Sequence, residues 1–141
     1  MKKYNVVIVG ALGAVGNEFR KILLQRKFPI DKIKFLDLTD VGSGVAFGDR
    51  MVTVEKPSDD SFRGYDIALF SAGADVSLQI AKQASSSGCV VIDNSSAWRM
   101  DPEVPLIVPE VNPDDVKWHK GIIANPNCST IQMLLPLKHI H

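Results

Sequence analysis

Cys128 lies in the stretch Gly121-Ile-Ile-Ala-Asn-Pro-Asn-Cys-Ser-Thr130, where a short apolar strand run turns sharply and resumes with helical spacing over Ser129 to Leu135. A thiol at a helix start meets the positive end of the helix dipole, which favours the nucleophilic thiolate. The plainer alternative is a small core residue, the commonest fate of a free cysteine. Arg99, in the loop Asn94-Ser-Ser-Ala-Trp-Arg-Met100, is a second candidate. Its planar fork suits a carboxylate or phosphate, and an ordinary surface arginine is the competing reading. Third comes Gly10-Ala-Leu-Gly13-Ala-Val-Gly16. Glycines placed between a strand and a helix let backbone approach a pyrophosphate, which the free amides of the helix start then bind. The spacing is GxxGxxG rather than GxGxxG, so its position matters more than its pattern, with a ligand-free tight turn as the alternative.

These residues need a scaffold that brings them together. Asn5 to Val9 is a β-branched run typical of a strand covered on both faces, and the following helix sets Val15, Phe19, Ile22 and Leu23 on one side. Ile33 to Leu38 reads as the second strand. Asp37 and Asp40 at its end are either ribose-binding acids, which favour NAD over NADP, or solvated loop carboxylates. Val45 to Val54 reads as an edge hairpin without chemistry. Asp66 to Ser71 is the next strand, and its exit, Ser71-Ala72-Gly73, is small enough for a flat cofactor to lie on backbone. A helix follows over Ala74 to Ser86 with Val76, Ile80 and Ala84 inward, then a strand over Cys89 to Asp93 in which Cys89 is a packing residue. Asp101 to Pro109 must be extended, and Pro113 to Lys120 is a polar excursion with a solvated His119. The order predicts an α/β, doubly wound Rossmann-type sheet, mostly parallel, with helices on both faces. The strand-end loops can then meet in one crevice.

Sixteen basic and sixteen acidic residues cancel without forming runs, which leaves no footprint for nucleic acid or an anionic membrane. The chain has no apolar stretch of the ~20 residues a membrane helix needs and no signal-peptide pattern, so a cytoplasmic protein is expected. Cys89 and Cys128 have no zinc-ligand spacing around them, and reduced thiols without a metal are expected. The 141 residues suffice for one dinucleotide-binding domain. They end inside an apolar helical pattern, Leu134 to His141, which leads us to expect further sequence and a catalytic domain starting at about Cys128.

Four motifs carry a resemblance: Gly10 to Gly16, Val91-Ile-Asp-Asn-Ser-Ser-Ala-Trp-Arg-Met100, Val108-Pro-Glu-Val-Asn112 and Ala124-Asn-Pro-Asn-Cys-Ser-Thr130. Together, and in this order, they resemble aspartate-β-semialdehyde dehydrogenase. A sister family, N-acetyl-glutamyl-phosphate reductase, usually has glycine where this chain has Asn127. A non-catalytic nucleotide-binding module is a different class of alternative, and it has no need of Cys128. The resemblance implies that Cys128 is the nucleophile and that Arg99 and Asn127 bind substrate phosphate. It implies NADPH held by Gly10, Leu12, Gly13, Ala14, Val15, Gly16, Ser71, Ala72 and Gly73, with NAD as the variant coenzyme. The implied reaction is reductive dephosphorylation of L-4-aspartyl phosphate to L-aspartate 4-semialdehyde, serving lysine, threonine, methionine and diaminopimelate synthesis. A homodimer of the full-length protein is implied as well. The family's second-strand loop carries a serine and arginine pair for the 2′-phosphate, where this chain has aspartates within Asp37 to Ser43. Its acid-base histidine and substrate-carboxylate arginine match no position here, His139 and His141 included, so residues 1–141 alone are expected to be inactive.

Overall fold

The computed structural model describes residues 1–140, and His141 lies outside them. The elements are β1 (Tyr4–Val9), α1 (Ala14–Gln25), β2 (Ile30–Leu36), β3 (Gly44–Phe47), β4 (Arg50–Glu55), β5 (Ile67–Phe70), α2 (Ala74–Ser86), β6 (Val90–Asp93), β7 (Ile122–Ala124) and α3 (Cys128–Ile140), with a 3-10 segment at Pro113–Trp118. The sheet order is β3-β4-β2-β1-β5-β6-β7. Every pair is parallel except the β3-β4 hairpin, which sits at the edge as its sequence predicts.

Alternation along β1 explains why helices cover both faces. Val7 and Val9 point into one cluster with Phe62, Phe70, Ala81, Ala84 and Trp98, on the α2 side. Ile8 points the other way, with Ala11, Phe35, Phe47 and Val54, and receives Phe19 and Leu23 of α1. The predicted doubly wound sheet is therefore the observed one.

Several local expectations change. The inward face of α1 is Gly16, Phe19 and Leu23, whereas Val15 and Ile22 are 38% and 45% exposed. In α2 the expected inward residues Val76, Ile80 and Ala84 do pack on the core, and Ser77 and Ala81 are fully buried beside them. The second strand begins at Ile30 and ends at Leu36, so Asp37 is the first residue of the loop. His119 is not simply solvated, because its Nδ1 accepts the Gly121 amide at 3.0 Å. Helix α3 starts one residue earlier than expected and runs through Pro136.

The chain turns from β1 to β2 on one side and later to β5 on the other, which makes β1/β5 the switch point where open α/β sheets bind ligands. Two glycines allow the crowding there. Gly10 has φ +78°, and a Cβ on it would stand 2.3 Å from the Ser71 carbonyl oxygen; a Cβ on Gly16 would stand 2.2 Å from the Gly10 oxygen. At Gly13 the nearest atom to such a Cβ is 3.6 Å away. We therefore expect Gly10→Ala and Gly16→Ala each to destabilise the chain by about 3 kcal/mol or more in urea unfolding, and Gly13→Ala by about 1 kcal/mol or less. Equal losses at all three would show that the turn is loose.

Candidate functional site

The carboxyl ends of β1, β2 and β5 enclose a cleft of about 360 Å³, lined by Gly10, Leu12, Gly13, Ser71 and Ala72 together with Asp37 to Asp40 and Pro57. The residues fit a dinucleotide. The first helical residues Ala14 and Val15 are exposed, Gly13 precedes them with no side chain capping the helix, and no acid occupies the first turn. The start of α1 thus offers free amides and a positive dipole end to an anion. By contrast, α2 carries Asp75 in its first turn. Gly10, without a Cβ, leaves the floor of the cleft as backbone.

Asp37 is not a loosely solvated carboxylate, because backbone amides hold both of its oxygens. Its Oδ2 accepts the Leu12 amide at 3.0 Å, and its Oδ1 accepts the amides of Leu38 at 2.8 Å and Thr39 at 3.3 Å. It ties the glycine turn to the loop after β2. Asp40 is exposed on the same loop, in a left-handed conformation with φ +50°.

Farther along the same edge, β6 and β7 end side by side, with Asp93 opposite Ala124. The next residues are therefore neighbours, and the Asn125 side-chain amide donates to Asn94 Oδ1 at 2.7 Å. Arg99 binds both loops: Nε donates to the Asn125 carbonyl at 3.0 Å and Nη2 to the Asn94 carbonyl at 3.1 Å. Among the described residues Nη1 has no partner, so the guanidinium is held from behind and can still receive an anion. Below it, the buried Asp93 carboxylate accepts the Ser95 hydroxyl at 2.6 Å and its amide at 3.1 Å, and the buried Trp98 indole donates to Ser77 Oγ at 2.9 Å. These bonds fix the loop that carries Arg99.

Cys128 is exposed at the first residue of α3. Asn127 sits just before it, and its Oδ1 accepts the Ser129 amide at 2.9 Å, the bond of an N-cap. The link from Arg99 to the Cys128 turn is direct, through the carbonyl of Asn125. From the exit of β5 to that of β7 is two strand spacings, roughly 10 Å, so the cleft and the cysteine share one edge of the sheet. Among the described residues no group of three or more His, Cys, Asp or Glu is arranged to hold a metal ion, and no helix is long and apolar enough to cross a membrane.

A family model described as semialdehyde dehydrogenase, NAD binding domain, matches residues 5–119. The chain belongs to the semialdehyde dehydrogenase family. It is 54% identical to aspartate-semialdehyde dehydrogenase from Aquifex aeolicus over 98% of its own length and 42% of that protein's. The Bacillus subtilis aspartate-semialdehyde dehydrogenase is 50% identical, with 96% of this chain and 40% of the relative covered. Aspartate semialdehyde dehydrogenase II from Vibrio cholerae, solved with ASA, superposes with a TM-score of 0.94 at 44% identity, covering 99% of this chain and 46% of that one. The chain thus spans less than half the length of these relatives. The motif-based resemblance to aspartate-semialdehyde dehydrogenase and the expected nucleotide-binding fold both hold.

In this semialdehyde dehydrogenase domain Gly10, Leu12, Gly13, Ser71 and Ala72 line the cleft, Ala14, Val15, Gly16 and Gly73 adjoin them in sequence without lining it, and Arg99, Asn127 and Cys128 follow β6 and β7 farther along the edge. Sequence reasoning misses Asn94 and Asn125. Each follows a buried strand immediately, and that equal offset is the available signal. No local pattern foretells that Asp93 and Ser95 pair under the Arg99 loop.

The two thiols differ sharply. Cys89 is 2% exposed, its Sγ–H donates to the carbonyls of Tyr65 at 3.1 Å and Phe62 at 3.4 Å, and burial, with Asp66 adding to it, pushes its pKa up to about 11. We expect iodoacetamide at neutral pH to modify Cys128 at least about 100-fold faster than Cys89, on thiolate fraction and access together. Because the folded-state pKa of Cys89 is raised, the stability it lends is complete below pH 9 and falls as pH rises towards 11. Cys89→Ala should therefore flatten the loss of stability across that window, and an unchanged alkaline limb would refute the assignment.

Proposed function

We propose that the whole protein reduces L-4-aspartyl phosphate to L-aspartate 4-semialdehyde with release of phosphate, through a thioester on Cys128. The observation that carries this reading is the exposed thiol at the first turn of α3, beside an N-capping Asn127 and a guanidinium anchored to the same turn. Residues up to Asn127 then form the coenzyme-binding part, and the catalytic part begins at Cys128.

In the first step Cys128 Sγ attacks the acyl carbon, the carbon–oxygen bond to phosphate breaks with its electron pair going to the leaving phosphate, and a thioester forms. Arg99 stabilises that departure by presenting its free Nη1 protons to the dianion, and its bonds to the Asn94 and Asn125 carbonyls keep the charge aimed without reorganisation. Held at the glycine turn by Gly10, Leu12 and Gly13, a reduced nicotinamide coenzyme, NADPH in the family the sequence resembles, would supply the hydride that brings the thioester carbonyl to the oxidation level of an aldehyde. Cys128 then leaves as thiolate and regenerates. Asn127 keeps the thiol at the head of the helix, where the amide dipoles favour the departing thiolate over a neutral thiol. Such an activity would place the protein in amino-acid biosynthesis.

We expect Cys128→Ala in the full-length protein to abolish turnover, by about four orders of magnitude or more, while coenzyme affinity changes less than about twofold. Arg99→Lys keeps the charge but loses the fork, and should cost about tenfold to a thousandfold in kcat/KM for the acyl phosphate. Steady-state kinetics with equilibrium coenzyme titration checks both. Turnover retained by Cys128→Ala would sink the covalent route.

A further inference from the structure

The cleft beside the glycine turn joins two features of opposite character. The exposed, uncapped start of α1 can receive an anion. Next to it the lining includes Asp37, which is bonded to the turn through the Leu12 amide, and then Leu38, Thr39, Asp40 and Pro57. Among the described residues that line it there is no lysine or arginine. We infer that this protein selects the nicotinamide coenzyme without a 2′-phosphate, NADH over NADPH, and that Asp37 and Asp40 are the residues that decide it. The inference rests on the reading of the cleft as the dinucleotide site.

Hydrogen-bond chemistry gives the first reason. Asp37 stands just past β2 and about 20 residues beyond Gly16, the place where dinucleotide folds meet the adenosine ribose. Its Oδ1 is surrounded by the amides of Leu38 and Thr39 and by the Thr39 hydroxyl, whereas Oδ2 accepts the Leu12 amide alone and has a lone pair left. A ribose 2′-hydroxyl can donate to that oxygen. A 2′-phosphate cannot, since it brings acceptors against an acceptor.

Charge gives the second. The loop carrying Asp40 cannot simply swing away: the Asp37 amide donates to Glu55 O at 3.0 Å, Gly42 N to Val54 O at 2.8 Å and Ser43 N to Asp40 O at 3.0 Å. The backbone that carries both carboxylates is thus held at the rim. The nearby cations are engaged or aside. Lys34 pairs with Glu55 at 3.7 Å and donates to Ser61 O at 3.2 Å, and the exposed Lys56 is not part of the lining.

The test is coenzyme titration of the full-length protein by nicotinamide fluorescence at low and high salt. We expect NADH to bind about tenfold tighter than NADPH at low salt, with the ratio shrinking as salt screens the rim. Asp40→Asn removes one charge in a residue that tolerates positive φ, and should narrow the ratio several-fold; Lys56→Ala should leave the ratio as it is. NADPH binding as tightly as NADH in the unaltered protein, or a ratio indifferent to Asp40→Asn and to salt, would overturn the inference. Binding of neither coenzyme would instead overturn the reading of the cleft itself.

Discussion

The backbone of Gly10 lies against the Ser71 carbonyl so closely that no side chain fits between them, and the carboxyl edge of the sheet is arranged around that approach. Ser71 N donates to Val9 O at 2.9 Å and Gly10 N to Leu36 O at 2.9 Å, so the ladder continues one residue past each strand before the loops part. The two loops diverge from a shared origin, and the space between them is a cleft with a backbone floor. Gly16 then brings α1 down onto the turn, which aims the uncapped amides along that floor. A side chain at either glycine would push the helix away from the sheet, and the aim of the amides would be lost with the packing.

The other half of the edge is built by register rather than by close approach. Because Asp93 pairs with Ala124, Asn94 and Asn125 must emerge together, and their side-chain bond joins two loops that are far apart in sequence. Arg99 completes the join by taking one carbonyl from each loop. Lysine has the charge but no rigid fork, so it could not hold both carbonyls and keep a planar donor face outward. The guanidinium is therefore structural on one side and open to an anion on the other.

The strands are plain in the sequence, since a continuous β-branched run bounded by glycine seldom folds as anything but a buried strand. The glycine turn, the Arg99 loop and Cys128 are legible for the same reason: each sits where a strand stops. What stays hidden depends on three-dimensional partnership. The inward face of α1 differs from its periodicity because Val15 and Ile22 match the helical period as well as Gly16, Phe19 and Leu23 do, and only the sheet decides which stripe is covered. Asp37 reads equally well as a ligand or a solvated acid, and its bond to Leu12, 25 positions away, is a contact no local pattern reveals. At α3 the proline at position 136 argues for an end, yet the helix passes through it.

That Asp37–Leu12 bond also bears on how coenzyme choice is built into this fold. The cleft combines two kinds of charge: the uncapped amides of the α1 start and the carboxylates of Asp37 and Asp40. If the acids were mere rim decoration, exchanging them for serine and arginine would convert one preference into the other. Asp37, however, accepts the amide of a glycine-turn residue, so removing it frees a donor on that turn. Asp40 is exposed on the loop surface, and no such second duty falls to it. The two carboxylates therefore separate into one whose charge can be altered with little structural consequence and one whose charge is inseparable from the geometry of the glycine turn.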